Sequence, residues 1–308
     1  MNWRTAAVSV ACMIMCLFAQ VLWLSSGLAA PAKEQVSSPP AGPSAPPRGL
    51  RYYGHYWVES KPYGSHLDEV GSHCNVHFVE NVDGLKKCAS KEVQCILQVR
   101  WEFFAGGGGG SAVPNPIRPD YQSLWNQTAE QVTPYIDRVE AFYMIDEPYL
   151  NGVSKKDLDT AIAAVKAKFP RKPVMVVFAV PSFTPRFAVP AGADWLGFDC
   201  YEPIGVVAKH LRFLKSRLQP HQRLFLVPQS FLNKAAPTDE ELAKLNRQYY
   251  ELASSEPLVI GLLNFGLFTD PKAGSTPLTL QMQRKIGEAI TSKDRRPQDS
   301  SGRGGPRR

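Results

Sequence analysis

The sequence predicts an α/β fold, a single (β/α)8 barrel of the TIM type. Short apolar runs alternate with longer helical patterns eight times between residues 50 and 290. The runs are apolar on both faces, which is typical of parallel strands that helices cover. Eight strand–helix units is the number that closes a barrel. The chain has 308 residues, which is enough for one domain of this size.

An open, doubly wound sheet is the alternative with the same alternation. It usually carries a glycine-rich phosphate-binding turn after the first strand. Residues 52–57 read Y-Y-G-H-Y-W and contain no such turn. The five-glycine run at 106–110 comes later, has no lysine after it and leads into a proline-rich segment. We interpret it as a flexible loop on the rim of the barrel, with no role in phosphate binding.

The first four units are predicted from apolar runs bounded by polar residues, glycine or proline. The strands are expected at residues 51–57, 75–81, 93–103 and 139–146. The helices that follow them are expected at 66–73, 83–90, 121–138 and 154–169. Ser154 is a favourable N-cap residue for the fourth of these helices, and Asp157 lies in its first turn.

The last four units follow the same pattern with one exception. The strands are expected at residues 173–180, 195–201, 224–229 and 258–265, and the helices at 206–218, 238–254 and 278–290. The segment 181–193 has little helical character, so the fifth strand is predicted to lack a regular helix. Thr238 opens a T-D-E-E sequence of the kind that caps a helix N-terminus.

Both ends of the chain lie outside the predicted barrel, which we place at residues 49–292. Residues 1–30 have the form of a secretory signal peptide: Arg4 precedes an apolar stretch, and small residues follow it. The stretch nearly reaches the roughly 20 residues that span a bilayer, so an uncleaved anchor is the alternative. Residues 31–48 form a Pro/Ser-rich linker, and 293–308 a disordered basic tail. A secreted or periplasmic protein is expected, with no stable membrane insertion after cleavage.

The net positive charge and the cysteines limit the classes of function that the sequence supports. The formal charge is +7, and much of it comes from arginines in the tail, so it is weak support for nucleic-acid binding. After signal cleavage four cysteines remain in an oxidising compartment: Cys74, Cys88, Cys95 and Cys200. We expect one disulfide among the first three and a buried free thiol at Cys200. Their spacing fits no zinc motif, so neither a metal nor another cofactor is expected.

Polar and aromatic residues collect where the predicted strands end. In a barrel these carboxyl ends form one rim, where binding and catalytic groups are found. Acids and amides can bind sugar hydroxyls, and aromatic rings can stack on sugar faces. A phosphate site would require more basic residues than Arg100. The residues expected to bind a carbohydrate are Tyr56, Trp57, Glu80, Asn81, Trp101, Glu102, Asp146, Tyr201, Gln229 and Asn264.

The fourth predicted strand carries the most specific motif. It reads V-E-A-F-Y-M-I-D-E-P, an apolar run followed by Asp146, Glu147 and Pro148. A barrel with this strand ending resembles the clan A glycoside hydrolases, whose fourth strand ends in Asn-Glu-Pro. The resemblance implies that Glu147 is the general acid and that Asp146 replaces the asparagine that binds the sugar 2-hydroxyl. A second carboxylate beside Glu147 is expected to raise its pKa.

The resemblance fails at the seventh strand. The family nucleophile is a glutamate at the end of that strand, where this chain has Gln229. An amide cannot form the glycosyl ester that a carboxylate forms. The sixth strand offers Asp199 as a second carboxylate, with Glu202 as the next choice. Because strands four and six are not neighbours, we expect a long separation between the acids and an inverting mechanism.

The function predicted from these observations is an exported glycoside hydrolase acting on a polysaccharide or glycan, with Glu147 and Asp199 or Glu202 as catalytic residues. The protein is expected to be a monomer that binds carbohydrate and no nucleic acid. The first alternative is a catalytically inactive barrel that binds glycans. The second is a metal-dependent deacetylase or an esterase, which is disfavoured because the strand ends show no His-x-His ligand pair and no G-x-S-x-G motif. His77, in the middle of the second strand, is expected to be a core histidine.

Overall fold

A computed structural model describes residues 49–60, 64–106, 113–267 and 276–292. The predicted signal peptide (1–30), linker (31–48) and tail (293–308), and all but the first residue of the glycine run, lie outside this part of the chain. In the part that is described, no helix combines the length and the apolar character needed to cross a bilayer.

Eight parallel strands form a nearly closed barrel, as the sequence predicts. They are β1 (Tyr52–His55), β2 (His77–Val79), β3 (Cys95–Gln98), β4 (Val139–Asp146), β5 (Val174–Ala179), β6 (Trp195–Asp199), β7 (Arg223–Val227) and β8 (Val259–Asn264). Neighbours in sequence pair in space from β2 to β8, and β8 then pairs in parallel with β1. Because all eight run in one direction, their carboxyl ends share one rim.

The seam between β1 and β2 is joined without a regular ladder. Tyr53 accepts backbone hydrogen bonds from Asn75 (3.1 Å) and Val76 (3.4 Å), and its own amide donates to the Asn75 side chain (2.9 Å). A Cβ atom on Gly54 would lie 2.0 Å from the Val76 carbonyl oxygen, so only glycine allows this approach. Beyond the seam, Glu59 of the short ribbon Glu59–Ser60/Gly64–Ser65 pairs with β2 at Val79.

The helices surround the barrel. They are α1 (Leu67–Val70), α2 (Val82–Ser90), α3 (Arg100–Phe103), α4 (Tyr121–Val132), α5 (Lys155–Lys168), α6 (Ile204–Lys215), α7 (Asp239–Ser255) and α8 (Pro277–Thr291). Ser154 caps α5, and Thr238 with Glu241 forms a capping box on α7, as predicted. After β5 there is only the 3-10 turn Val180–Ser182, which agrees with the predicted lack of a helix there.

Two apolar layers hold these elements together. Alternate strand residues such as Phe78, Ile96, Tyr143 and Phe225 fill the barrel interior. The residues between them face outward into the larger layer under the helices. Burial on both faces of the strands explains why their sequence is almost uniformly apolar.

Three local predictions are wrong. The third strand ends at Gln98 and not at residue 103, because the chain turns into α3 and packs Phe103 against Trp125 of α4 (5.7 Å between ring centres). The helix predicted at 121–138 ends at Val132 and continues as the 3-10 segment Thr133–Arg138, with proline near its start. The first strand ends at His55, and Trp57 has a positive φ of 59°.

The disulfide expected among Cys74, Cys88 and Cys95 is not formed in the structure. These three cysteines and Cys200 are buried free thiols. The Cys88 and Cys95 thiols lie in hydrogen-bond contact, and this contact together with burial raises the pKa of Cys95. Burial likewise raises the pKa of Cys200 to about 11, in agreement with the expected free thiol.

Candidate active site

The site lies at the carboxyl end of β4, where the sequence places Asp146 and Glu147. The ladder to β5 is irregular between Tyr143 and Asp146, and Met144 and Ile145 both face the helices. This bulge turns Asp146 to the same side as Tyr143, whose hydroxyl donates to its Oδ1 at 2.5 Å. A plain alternation would have placed these two residues on opposite faces.

Glu147 occupies a strained and poorly solvated position. Its φ is 46°, in the left-handed region that non-glycine residues rarely adopt. Its amide donates to the Val177 carbonyl of β5 (2.9 Å), which holds the backbone in place. Burial, and next the charge of Asp146, raise the pKa of Glu147 from its ordinary value of 4.5 to about 7. The repulsion expected from Asp146 is therefore present, and burial is the larger cause.

Asp146 is the acid with compensating contacts. Burial raises its pKa, whereas the hydrogen bond from Tyr143 and the positive charge of Arg100 lower it. Arg100 is buried, and its guanidinium lies 4.0 Å from the centre of the Trp101 ring. Asp146 thus has a hydroxyl group and a cation that favour its ionised form, whereas burial opposes it.

Asp199, at the end of β6, is the third carboxyl group. Burial raises its pKa well above its ordinary value, and the charges of Asp146 and Glu147 raise it further. The Tyr201 hydroxyl donates to Oδ1 of Asp199 at 3.1 Å and has the opposite effect. Since Asp199 is affected by both β4 acids, strands four and six place their carboxyl groups in one electrostatic environment. Mutual repulsion there favours a proton on one or more of them near neutral pH.

Aromatic rings line the same mouth. The Tyr56 hydroxyl donates to the hydroxyl of Tyr143 at 3.2 Å, which extends the hydrogen bonds that reach Asp146. The Tyr201 ring stacks on Phe265 (5.9 Å, 16°), and the edge of Trp57 meets Phe78 (5.1 Å, 71°). This combination of carboxyl groups and rings suits a ligand with hydroxyls on an apolar ring.

Two further predicted residues lie beside this group and two lie away from it. The charge of Glu80 acts on Arg100, so Glu80 belongs to the same neighbourhood, and Trp101 is 48% exposed beside Arg100. Glu102 accepts a hydrogen bond from Thr128 of α4 (2.9 Å) and is directed at that helix. Asn81 caps α2 by accepting from the Gly84 amide (3.1 Å).

Gln229 and Asn264 are engaged by the protein itself. The buried Gln229 amide donates to the Phe231 carbonyl (2.8 Å), and its oxygen accepts from Asn233 (3.2 Å). The buried Asn264 amide donates to the Gly54 carbonyl of β1 (3.0 Å). The Gln229 side chain therefore holds the loop that follows β7, and the Asn264 side chain connects β8 to β1. Glu202 is exposed at the beginning of the loop that leads into α6.

Three residues around the acids are absent from the predicted site. Tyr143 reads as an ordinary residue of an apolar strand, and only the bulge brings its hydroxyl to Asp146. Phe265 is the last residue of the predicted eighth strand, and its stacking on Tyr201 requires β6 and β8 to be placed in space. Arg100 is the single basic residue at the predicted rim. A basic residue among acids is a signal in the sequence, because such a residue stabilises a neighbouring carboxylate.

Comparison with known proteins gives structural relatives only. A β-glucuronidase from Ruminococcus gnavus, in complex with D-glucaro-d-lactam, superposes with a TM-score of 0.51 and 13% identity over 71% of this chain and 43% of that chain. A β-glucuronidase from an uncultured Clostridium sp. has a TM-score of 0.50 and 11% identity, over 71% and 44%. This chain therefore spans less than half the length of these enzymes. No family model matches the sequence, and no curated protein matches it either. The likeness establishes that the chain has the (β/α)8 barrel fold that these glycoside hydrolases also have.

Proposed function

We propose that the protein is an exported glycoside hydrolase that acts on a polysaccharide or glycan, with Glu147 as its general acid. The observation that carries this proposal is the environment of Glu147. A general acid must hold a proton at the working pH and release it to the leaving oxygen, and a pKa of about 7 suits both steps. The position at the end of β4 is the one that the clan A resemblance implies.

Asp199 is the second carboxylate that we propose. It is half-buried and is affected by the charges of Asp146 and Glu147, whereas Glu202 is exposed. In this mechanism Asp199 accepts a proton from a water molecule as the water oxygen bonds to the anomeric carbon. The glycosidic bond breaks, and Glu147 donates its proton to the departing oxygen. Protonation of Glu147 removes one of the charges that raise the pKa of Asp199, so the two roles support each other.

The presence of Gln229 after β7 favours a mechanism in which water attacks the anomeric carbon directly. The clan A nucleophile position holds an amide whose NH2 group and oxygen are both in hydrogen bonds to the loop that follows β7. An inverting enzyme places its two carboxyl groups about 6.5–9.5 Å apart to leave room for water. We therefore propose inversion of the anomeric configuration.

The same amide supports a second candidate, a catalytically inactive barrel that binds glycans. An aromatic and acidic mouth can bind a sugar without cleaving it. Both candidates predict that the protein binds a glycan, but only the glycoside hydrolase is expected to cleave it. Glycan binding and glycoside turnover are therefore measured on the same protein.

The test is hydrolysis of a panel of aryl glycosides and polysaccharides, with the product anomer followed by NMR. We expect turnover with inversion. Glu147→Gln, which is nearly isosteric, should lower kcat by about 10²–10⁴ while the fold is kept, because it removes the proton that the leaving group needs. Asp199→Asn should have a loss of similar size.

Glu202→Gln is the matched control, since it removes an exposed acid of the same rim, and it should keep the parent rate. Full activity in a folded Glu147→Gln variant would exclude the proposed mechanism. Binding of a glycan by the parent protein without turnover of any glycoside would favour the inactive barrel.

A further inference from the structure

A second cluster of reactive side chains lies on the other side of β1, between the barrel wall and the helices. It contains His55 at the end of β1, His73 and Cys74 in the turn that follows α1, and His77 at the start of β2. All four are buried, with exposures of 0%, 7%, 8% and 0%. None of them belongs to the proposed catalytic group, and residues 55, 73 and 74 are brought together only by the fold.

The geometry of three of these residues is that of a metal site. One ligand atom each from His55, His73 and Cys74 lie within 4.8 Å of one another. Zinc bonds of about 2.0–2.1 Å to nitrogen and 2.3 Å to sulfur place tetrahedral ligand atoms about 3.3–3.7 Å apart. Contraction by about an ångström would therefore bring the three atoms to one ion. The rings of His55 and His73 stand edge to face at 6.2 Å, with an angle of 85° between the ring planes.

The surroundings of these residues favour metal binding. All four side chains are buried, so little water competes with them for a cation. A neutral imidazole presents a lone pair to a cation. The Cys74 thiol carries a proton when no metal is bound. On binding, the cation replaces this proton, which is released to water.

His77 completes the cluster. Within the described residues neither of its ring nitrogens has a hydrogen-bond partner, although the side chain is fully buried. A buried polar atom without a partner is unfavourable, because it has lost its hydrogen bonds to water. A proton on His77 would lower the pKa of His55, after the larger effects of burial and of His73, so His77 lies in the same neighbourhood. Its ring nitrogens are not among the ligand atoms that lie within 4.8 Å of one another, so we assign to His77 the binding of a water molecule held by the ion.

We propose that His55, His73 and Cys74 bind a divalent metal of the zinc type, and that His77 binds a water molecule held by the ion. Two imidazoles and one thiolate suit a borderline-soft cation better than magnesium or calcium, which prefer oxygen ligands. The site connects β1 to the chain that leads into β2, at the seam where these strands have no regular ladder of backbone hydrogen bonds. Tyr56 and Trp57 of the barrel mouth follow His55 directly in the sequence.

The test uses the full-length chain, reduced and freed of metal by a chelator, and titrated with Co²⁺. We expect one Co²⁺ per chain, a thiolate-to-cobalt charge-transfer band, displacement by Zn²⁺ and a higher Tm with Zn²⁺. Cys74→Ser should abolish the charge-transfer band. His73→Gln removes one of the proposed ligands and should raise the Kd for the metal more than about 100-fold, since loss of a supporting contact outside the ligand set lowers metal affinity by only 10–100-fold.

Two control variants separate this site from other thiols and histidines. Cys200→Ser removes a different buried thiol, and His221→Gln removes an exposed histidine. Both should keep the band and the affinity. The proposal is overturned if the parent protein shows no charge-transfer band, or if binding persists unchanged in His73→Gln. This second variant decides the question even where Cys74→Ser does not fold, and neither measurement depends on glycosidase activity.

Discussion

Glu147 combines two features that are unfavourable for folding, a left-handed backbone and a half-buried carboxyl group beside another acid. Burial and the charge of Asp146 both disfavour its ionised form, whereas the Tyr143 hydroxyl and the charge of Arg100 favour the ionised form of Asp146. Residues in such positions are concentrated at functional sites, where the rest of the fold holds them. At the scale of a single residue, the geometry of Glu147 supports the proposal that it is the general acid.

The raised pKa predicts how this residue affects stability. In the folded protein Glu147 keeps its proton up to about pH 7, and in the unfolded chain it loses it near pH 4.5. The folded state therefore binds more protons in this window, and the free energy of unfolding falls as the pH rises through it. Glu147→Gln removes this dependence. We expect the variant to be more stable than the parent at pH 8, by on the order of 3 kcal/mol, and nearly equal to it at pH 4.

Urea denaturation at several pH values measures this difference. Glu202→Gln, at an exposed acid of the same rim, should follow the parent at every pH. A Glu147→Gln variant that is less stable than the parent at pH 8 would show that the carboxylate is held by favourable contacts, and the assigned pKa direction would be wrong.

At the scale of elements, the β1–β2 seam is the part of the barrel most dependent on particular residues. Elsewhere neighbouring strands pair through repeated backbone hydrogen bonds, which tolerate many side chains. At the seam the strands approach through Tyr53, Asn75 and Val76, and Gly54 provides the space. The histidine and cysteine cluster lies along the same seam. The close approach of the backbones and the proposed metal binding therefore involve the same two strands, β1 and β2.

Gly54→Ala tests the importance of this approach. The new methyl group would meet a backbone oxygen at 2.0 Å, and a backbone atom cannot rotate away as a side chain can. Overpacking of this kind typically costs 1–3 kcal/mol, and we expect a loss of about 3 kcal/mol in the free energy of unfolding. Denaturant unfolding followed by tryptophan fluorescence measures it.

Gly205→Ala is the control for this substitution. Gly205 lies in α6, and nothing is found within 4 Å of a Cβ placed there. Alanine is the better helix former, so this variant should gain about 0.5–1 kcal/mol. Equal stability of Gly54→Ala and the parent would mean that the seam can separate without cost, and the close approach would have no structural importance.

At the scale of the whole molecule, the barrel and the ends of the chain are predicted on different grounds. The described residues lie between 49 and 292, and export rests on the sequence of residues 1–30. The combination of Arg4, an apolar stretch and small residues predicts removal of about 30 residues on export. We propose a secreted or periplasmic location on this basis.

Mass spectrometry of the exported chain tests the prediction. We expect a mature N-terminus near residues 29–32. Leu17→Arg, which places a charge in the apolar stretch, should prevent export and leave the chain at full length, because a charge there opposes insertion. Recovery of the intact parent chain from the membrane fraction would indicate an uncleaved anchor instead.

The positions of the candidate site residues were predictable where they depended on one strand end. A buried strand followed by Asp146, Glu147 and Pro148 places acids at the carboxyl end of a parallel sheet, and the structure has them there. Asp199 and Tyr201 followed from the same rule for β6. The rule failed beyond β3, where residues 100–103 are helical, because the apolar pattern of Phe103 and Phe104 fits a strand and a helix docked on α4 equally well.

The sequence by itself determined the fold class, the order of the strands and the position of Glu147. These depend on local periodicity and on chain order, which short-range sterics and burial translate directly into strands and helices. Only the tertiary structure decided that a bulge aligns Tyr143 with Asp146, that Gln229 is bound to its own loop, and that His55 meets His73 and Cys74. The pKa of Glu147 belongs to this second group. It depends on burial and on charges from two strands, and the free energy of a charge is set by what surrounds it in space.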